Sequence, residues 1–459
     1  MRVVISNEIT IEDPIPEVKE YCERELVIKN PDYEKKKRLG KWLGNTPEKL
    51  ALYQEKDGNL ILPSGVYQAV YNWLWDDPFL AEFEFDMAAN KSVGYGAGIP
   101  LYDYQEEAVA AMLVKDFGIL QAPAGCGKTQ MGLAMIIQSG VKALWLTHTK
   151  DLLQQSYSRA AQYVSGDLLG TITGGKVNIG KGITFATVQT MVNLDLDRYK
   201  YEWDMIIIDE CHRVAGSPSK VTQFSKVLSA LAASSKYGLS ATVHRADDMI
   251  KATYALLGPV LYAVPEEAVA GKIEQVRILR RDTGIPISWE CLDTDGTLLY
   301  ANLIQYLCEN SYRNWLIAAD LLQNKEHYNL ILSDRLEHLK TIYSLLPLEM
   351  QEQSVFVHGK SKAKEREQAL EDMRAGKKRF LFATYKLAKE GLDIPRLDRL
   401  YMATPQHDYA IIVQAVGRIA RHFDGKAEPV VYDYVDDIGY CQNQYKKRCT
   451  SYRKIHCIL

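Results

Sequence analysis

Short apolar runs closed by turn residues alternate with amphipathic stretches along most of the chain, in two series. In the first, Phe117-Gly-Ile-Leu-Gln-Ala122, Ala143-Leu-Trp-Leu-Thr147, residues 183–188 and Met205-Ile-Ile-Ile-Asp-Glu210 read as strands. The last is apolar on both faces, as in a parallel sheet. Residues 129–139 and 150–163 have helical spacing, and Tyr237-Gly-Leu-Ser-Ala-Thr242 reads as a further strand end. A second series begins after about residue 262, with strands at 329–332, 354–358, 379–384 and 430–432 and a helix at 362–374. Two such series predict two α/β domains in tandem. Residues 272–298 are strand-like but broken by Gly and Pro turns, and declare no single element.

The first hundred residues follow neither series. Val3-Val-Ile5 is strand-like, 58–65 reads as a strand closed by a turn, and 66–75 reads as a helix. Between them, Pro31-Asp-Tyr-Glu-Lys-Lys-Lys-Arg-Leu-Gly-Lys-Trp42 mixes cations with two aromatics. That mixture suits a nucleic-acid surface, or equally a solvated helix face with one buried Trp. A nuclease reading fails because Asp32 and Glu34 are too crowded to span a metal site. Gly94-Tyr-Gly-Ala-Gly-Ile-Pro100 reads as a linker.

Composition narrows the class. The 459 residues suffice for roughly three domains. With 47% hydrophobic and 25% charged residues the chain reads as an ordinary soluble protein. No apolar run approaches the roughly 20 residues that span a bilayer, and the start lacks a signal-peptide core. A net charge of −3 excludes a uniformly basic binder, so any nucleic-acid contact must come from local patches. The 8 cysteines form no Cys-x-x-Cys pair, which argues against a zinc site and for a reducing, cytoplasmic setting.

The chemistry concentrates in Ala122-Pro-Ala-Gly-Cys-Gly-Lys-Thr129, between a strand and a helix. In that geometry Gly125 and Gly127 turn backbone N–H groups toward an anion, and Cys126 is a small filler. Lys128 would reach the β- and γ-phosphates of ATP, and Thr129 would hold Mg²⁺. Asp209 and Glu210 end a strand where ligands bind in doubly wound sheets. Asp209 would hold Mg²⁺ through water, and Glu210 would deprotonate the attacking water. Gln105 reads as an adenine-edge amide or as a surface helix residue, with Tyr102 or Tyr104 stacking on the base. In the second series, Gln414, Gly417, Arg418 and Arg421 are spaced as on one helix with both arginines on a shared face. These arginines would meet the triphosphate's developing charge, or else form surface salt bridges.

Together these residues closely resemble superfamily 2 helicases, matching in the family's order from 101 to 421. Gln105 resembles the Q motif, 125–129 motif I and 149–155 motif Ia. Gly174-Gly175 and Thr187-Val-Gln189 resemble the next strand-contacting motifs. Asp209-Glu-Cys-His212 is similar to motif II, Ser240-Ala-Thr242 to motif III, Thr384 with Glu390-Gly-Leu-Asp393 to motif V, and 414–421 to motif VI. Residues 238–262 and the N-terminal 31–65 region are similar to XPB-type helicases, although Ala246 stands where their Arg-Glu-Asp element has its acid. The layout is also similar to phage branch-migration helicases.

The resemblance implies a fold of two RecA-like parallel-sheet domains with a small N-terminal α+β domain. The expected bounds are 1–99 for a DNA-binding, damage-recognition-like domain, 100–262 for the ATP-binding domain and 263–459 for the second, with a basic C-terminal helix. It also implies ATP and Mg²⁺ as cofactors. The expected ATP contacts are Gln105, Gly125, Cys126, Gly127, Lys128, Thr129, Gly391, Asp393 and Gln414, with catalysis by Lys128, Asp209, Glu210, Arg418 and Arg421. His212, Ser240 and Thr242 would couple the site to movement. Thr149, Gly175, Thr187, Gln189, Thr384 and Arg245 would touch nucleic acid. The implied enzyme is a monomeric, cytoplasmic DNA helicase acting on branched or forked DNA in replication, recombination or repair. It would sit in host cytoplasm if of phage origin. The other readings are an RNA-dependent ATPase and an ATP-switched remodelling subunit without strand separation.

Overall fold

The structure is a computed structural model that describes residues 1–459 except 76–80, 91, 97, 124, 215–221, 242–248, 266, 270–273, 360, 362, 389–391 and 393. The chain divides into two compact units. The first holds 1–123 and 127–268, and the second holds 269–459 with 124–126 grouped to it.

The first unit opens with β1 (Arg2–Ile5), β2 (Glu8–Glu12), β3 (Val27–Lys29), β4 (Lys49–Ala51), β5 (Gln54–Lys56), β6 (Asn59–Pro63) and β7 (Glu82–Phe85). Five of these form a sheet in the order β5-β6-β2-β1-β7, and β3 pairs with β4 apart from it. Burial alternates along the sheet: Val3, Ile5, Ile9, Ile11, Leu60 and Leu62 point inward. That period of two marks a sheet with one covered face. The cover comes from the helices Pro16–Glu25 and Tyr67–Trp75, with Ala255 joining the same core.

The larger sheet of this unit contains β8 (Phe117–Gln121), β9 (Ala143–Thr147), β10 (Leu169–Thr173), β11 (Lys176–Asn178), β12 (Ile183–Thr187), β13 (Met205–Asp209), β14 (Ser235–Ser240) and β15 (Val260–Ala263). Their order is β11-β10-β12-β9-β13-β14-β8-β15, parallel except for the β10–β11 hairpin. Strands β9, β12, β13 and β14 are buried at every residue, which is why their sequences run apolar without alternation. The helix expected over 150–163 ends at Ala160.

One buried cation ties the two sheets together. Lys236 of β14 is wholly buried, and its Nζ donates to Leu228 O (2.8 Å), Ser64 Oγ (3.0 Å) and Asn7 O (3.4 Å). Burial pulls its ammonium down to about 7, while Glu8 pulls it up. Nearby, Lys200 bonds Asp86 at 2.9 Å.

The second unit is a six-stranded parallel sheet of β16 (Arg277–Pro286), β17 (Asn329–Ser333), β18 (Ser354–Val357), β19 (Phe380–Thr384), β20 (Arg399–Met402) and β21 (Val430–Asp437). The order is β16-β21-β20-β17-β19-β18. The stretch at 272–298 that declared no element supplies β16, an edge strand beside β21. The C-terminal helix Gly439–Lys454 carries the expected basic residues, but one of them faces the core. Arg448 is buried and grips both oxygens of Asp433 at 2.8 Å, and Tyr452 donates to the same carboxylate at 2.8 Å. A buried guanidinium with both partners satisfied is a core feature. Among the described residues no helix is long and apolar enough to cross a membrane.

Candidate active site

Strand β8 feeds the loop into the helix Lys128–Ser139. Gly125 and Gly127 have φ of +89° and +84°, a region open to glycine without the Cβ penalty. A Cβ on Gly127 would sit 2.4 Å from Gln105 Nε2, so a side chain there would displace the amide. Gln105 is therefore no surface residue: it is buried against the loop, and its Oε1 accepts from Tyr102 N at 3.0 Å. Tyr104 is buried, whereas Tyr102 is 53% exposed, so only Tyr102 can offer a base its ring face. Lys128 Nζ donates to Ala122 O (3.1 Å) and Pro123 O (3.2 Å). Positive-φ glycines, a helix N-terminus and an ammonium together suit a phosphate group, and the residues present fit ATP.

Across the sheet, β13 ends at Asp209, one residue short of the expected strand. Glu210 turns left-handed (φ 55°), and its N–H donates to Asp209 Oδ1 at 3.0 Å. A continuing strand would send the two carboxylates to opposite faces, and the turn at Glu210 breaks that alternation. Glu210 Oε2 lies 3.3 Å from His212 Nδ1, and His212 Nδ1 lies 3.1 Å from Ser240 Oγ at the end of β14. Burial, and then the neighbouring Glu210 charge, hold the Asp209 carboxyl well above the usual carboxylate range, while Lys128 pulls it down. A buried carboxylate whose ionised form is disfavoured gains from a hard cation. Asp209 and the Thr129 hydroxyl would be the oxygen donors for Mg²⁺, alongside water. Cys126 and Cys211 are buried, and a Cβ on Gly238 would meet Cys211 Sγ at 2.7 Å.

The described residues among those expected to touch nucleic acid in this unit lie at or just beyond the ends of three adjacent strands. Thr149 follows β9 and caps the helix Lys150–Ala160, accepting from Leu152 N at 3.3 Å. Thr187 ends β12, with its Oγ1 2.9 Å from Thr190 Oγ1. Gln189 donates to His148 O at 2.7 Å, and Gly175 turns from β10 to β11. The motif reading passed over Lys150, whose Nζ lies 3.1 Å from where a Gly174 Cβ would be. Its only sequence signal is a cation directly after a capping threonine. Arg245 and Thr242 lie outside the described residues.

In the second unit Thr384 ends β19, while Gly391 and Asp393 lie outside the described residues. Gln414 is buried on the helix Tyr409–Ile419, and its Oε1 has no hydrogen-bond partner among the described residues. Arg418 lies on that helix. Arg421 does not, which corrects the expectation of one shared helical face. The helix closes at Ala420, and Lys426 Nζ takes the carbonyls of Ile419 and Arg421, each at 2.6 Å. Glu274 N takes Ala420 O at 2.7 Å. These contacts use the carbonyls that a further helical turn would need.

Comparison with known proteins agrees with this geometry. Residues 98–245 match the family described as type III restriction enzyme, res subunit, and 312–423 match the helicase conserved C-terminal domain. A probable helicase of Escherichia phage T5 is 27% identical over 340 residues, 74% of this chain and 72% of its own length. The ATP-dependent DNA helicase uvsW of Enterobacteria phage T4 is 24% identical over 414 residues, covering 83% and 81%. The DNA 3'-5' translocase XPB2 of Sulfurisphaera tokodaii is 34% identical over 174 residues, 38% of each chain. Among solved structures, S. cerevisiae Dbp5 bound to RNA and ADP BeF3 is similar in fold. It has a TM-score of 0.56 at 17% identity, covering 78% of this chain and 88% of that one.

Proposed function

We propose that this chain, an ATP-hydrolysing helicase of superfamily 2 by its two matched domains, drives the unwinding or branch migration of branched or forked DNA. The observation that carries the reading is the line of side chains from Glu210 through His212 to Ser240. It joins the carboxylates beside the phosphate cradle to the neighbouring strand, so a change at the nucleotide is felt along the sheet.

In this reading Lys128 and the loop N–H groups bind the triphosphate, and Gln105 and Tyr102 take the base. Glu210 accepts the proton of the attacking water. Mg²⁺, held by Asp209 and Thr129, would supply charge neutralisation on the phosphates. Arg418 and Arg421 meet the charge that develops on the transferred phosphoryl group. His212, Ser240 and Thr242 transmit the step. Thr149, Gly175, Thr187, Gln189, Thr384 and Arg245, with backbone amides, hold phosphates and carry no sequence information, so the substrate is chosen by structure. The names of the phage and archaeal relatives support DNA over RNA. The protein would act as a monomer in cytoplasm, in replication, recombination or repair.

The test is ATP turnover and strand displacement on single-stranded, forked and four-way DNA, with RNA of matched sequence. Turnover that rises most with branched DNA supports the reading. Stimulation by RNA alone would replace it with the RNA-dependent ATPase, and stimulation without displacement or migration with the ATP-switched remodelling subunit.

A further inference from the structure

The loop between β3 and β4 has an unusual surface. Asn30 starts a helix, Pro31–Arg38, by accepting from Asp32 N at 3.0 Å, and its amide ties back to Pro47 O at 2.8 Å. That helix buries no residue. Between residues 29 and 49 stand seven Lys and Arg against three Asp and Glu, in a chain whose net charge is −3. Beyond the helix, Trp42 is 88% exposed, which excludes the buried-Trp reading of this stretch.

The indole is nevertheless held in place. A Cβ on Gly44 would meet the Trp42 ring at 3.1 Å, so the ring lies across the glycine backbone. Gly44 itself has φ of +51°, a conformation that disfavours a replacement side chain. Lys36 fastens the same loop by donating to Thr46 Oγ1 at 2.6 Å. A braced aromatic in solvent beside a block of cations has little to offer this fold's own core. It has the two parts of a nucleic-acid platform: a π face for a base and positive charge for the flanking phosphates.

The position of the loop narrows the ligand further. Ile28 and Leu50, on the paired strands β3 and β4, pack with Leu52, Met249 and Ala252. Met249 is the N-cap of the helix Ile250–Leu257, which packs on β8, β14 and the turn Cys211–Arg213 that follows β13. The platform is thus anchored at the edge of the sheet where β9, β12 and β13 also end. Ligands of parallel sheets bind at that edge.

The geometry points to Trp42 as a stacking platform for the base pair exposed at the mouth of a DNA duplex arm, with the cations of Pro31–Arg38 on the adjoining phosphates. This assignment rests on the nucleic-acid reading above and adds to it the part that recognises the junction.

The experiment uses the full chain, Trp42→Ala, Trp42→Phe and Lys35→Glu/Lys37→Glu. It measures affinity for a fork carrying 2-aminopurine at the branch and for a single strand of the same length. Trp42→Ala lowers the ratio of fork to single-strand affinity about tenfold and abolishes the 2-aminopurine response, while Trp42→Phe retains most of both. The charge reversal weakens fork binding and flattens its salt dependence. An unchanged ratio in Trp42→Ala, or equal weakening on fork and single strand, overturns the proposal. A wild-type chain whose ATP turnover responds to no nucleic acid would instead remove the reading on which it rests, and so the two failures are distinct.

Discussion

Ser240 Oγ lies 3.1 Å from His212 Nδ1, joining the end of β14 to the turn that follows β13. Since His212 also lies 3.3 Å from Glu210, one imidazole touches both that carboxylate and the next strand. Ser240→Ala and His212→Ala are expected to keep nucleic-acid-free ATP turnover within a few-fold and to lose about tenfold in stimulation by DNA. Steady-state ATPase with and without forked DNA checks this. An equal fall in both conditions would assign His212 to the chemistry.

Lys128 starts the helix at the proposed phosphate site. Lys128→Ala should lower turnover by at least about 10²-fold, the scale set by removing one preorganised charge from a transition state. Retention of the melting transition shows that the loss is local. An unchanged rate would refute the site.

Arg421→Ala is expected to leave nucleotide affinity within about threefold and to lower turnover by about 10³–10⁵, the range for a guanidinium that serves only the transition state. Fluorescent-nucleotide titration beside ATPase measures the split. Equal losses in both would place Arg421 in ground-state binding.

Lys426 gives a pH test with opposite signs for activity and stability. Its Nζ holds the carbonyls of Ile419 and Arg421, and burial pulls its ammonium down to about 8. Above that pH the charge is lost and the clamp on the Arg421 segment weakens, so turnover falls between pH 8 and 9. The penalty for burying the charge is full below pH 8. It is relieved between there and the unfolded lysine value of about 10.4, so this group's contribution to stability rises as turnover falls. Lys426→Met should flatten that limb of the turnover profile. A limb that persists in the variant would clear Lys426 of any part in it.

Because the expected contacts go to phosphates, DNA affinity should fall steeply with salt. The slope of log K against log salt should approach roughly −0.9 per phosphate neutralised on duplex. A flat titration by anisotropy would count against DNA as the ligand.

The parallel sheets were legible because strands buried on both faces need unbroken apolar runs, as in Met205-Ile-Ile-Ile. The phosphate loop was legible because its turn demands glycine at fixed places. The failures share a cause, which is partners distant in sequence. Arg448 and Tyr452 passed as part of a basic C-terminal helix, since nothing local points to Asp433 on β21. Arg421 read as helical because the ammonium that takes the carbonyls around it belongs to Lys426, beyond the spacing pattern. The left-handed turn at Glu210 is invisible to periodicity, which carries no information on the sign of φ. Trp42 was left between two readings, a nucleic-acid surface and a buried core residue, since its burial depends on partners that local sequence does not name.

Lys236 has a practical consequence for anyone dissecting this chain. A fragment starting near residue 100 would strip Ser64 and Asn7 from its amine, leaving only Leu228 O of its three acceptors, and would bare Ala255, which packs in the N-terminal core. Such a truncation would aggregate or lose its fold before any change in substrate choice could be scored. The role of the first hundred residues is therefore better probed by surface substitutions than by deletion.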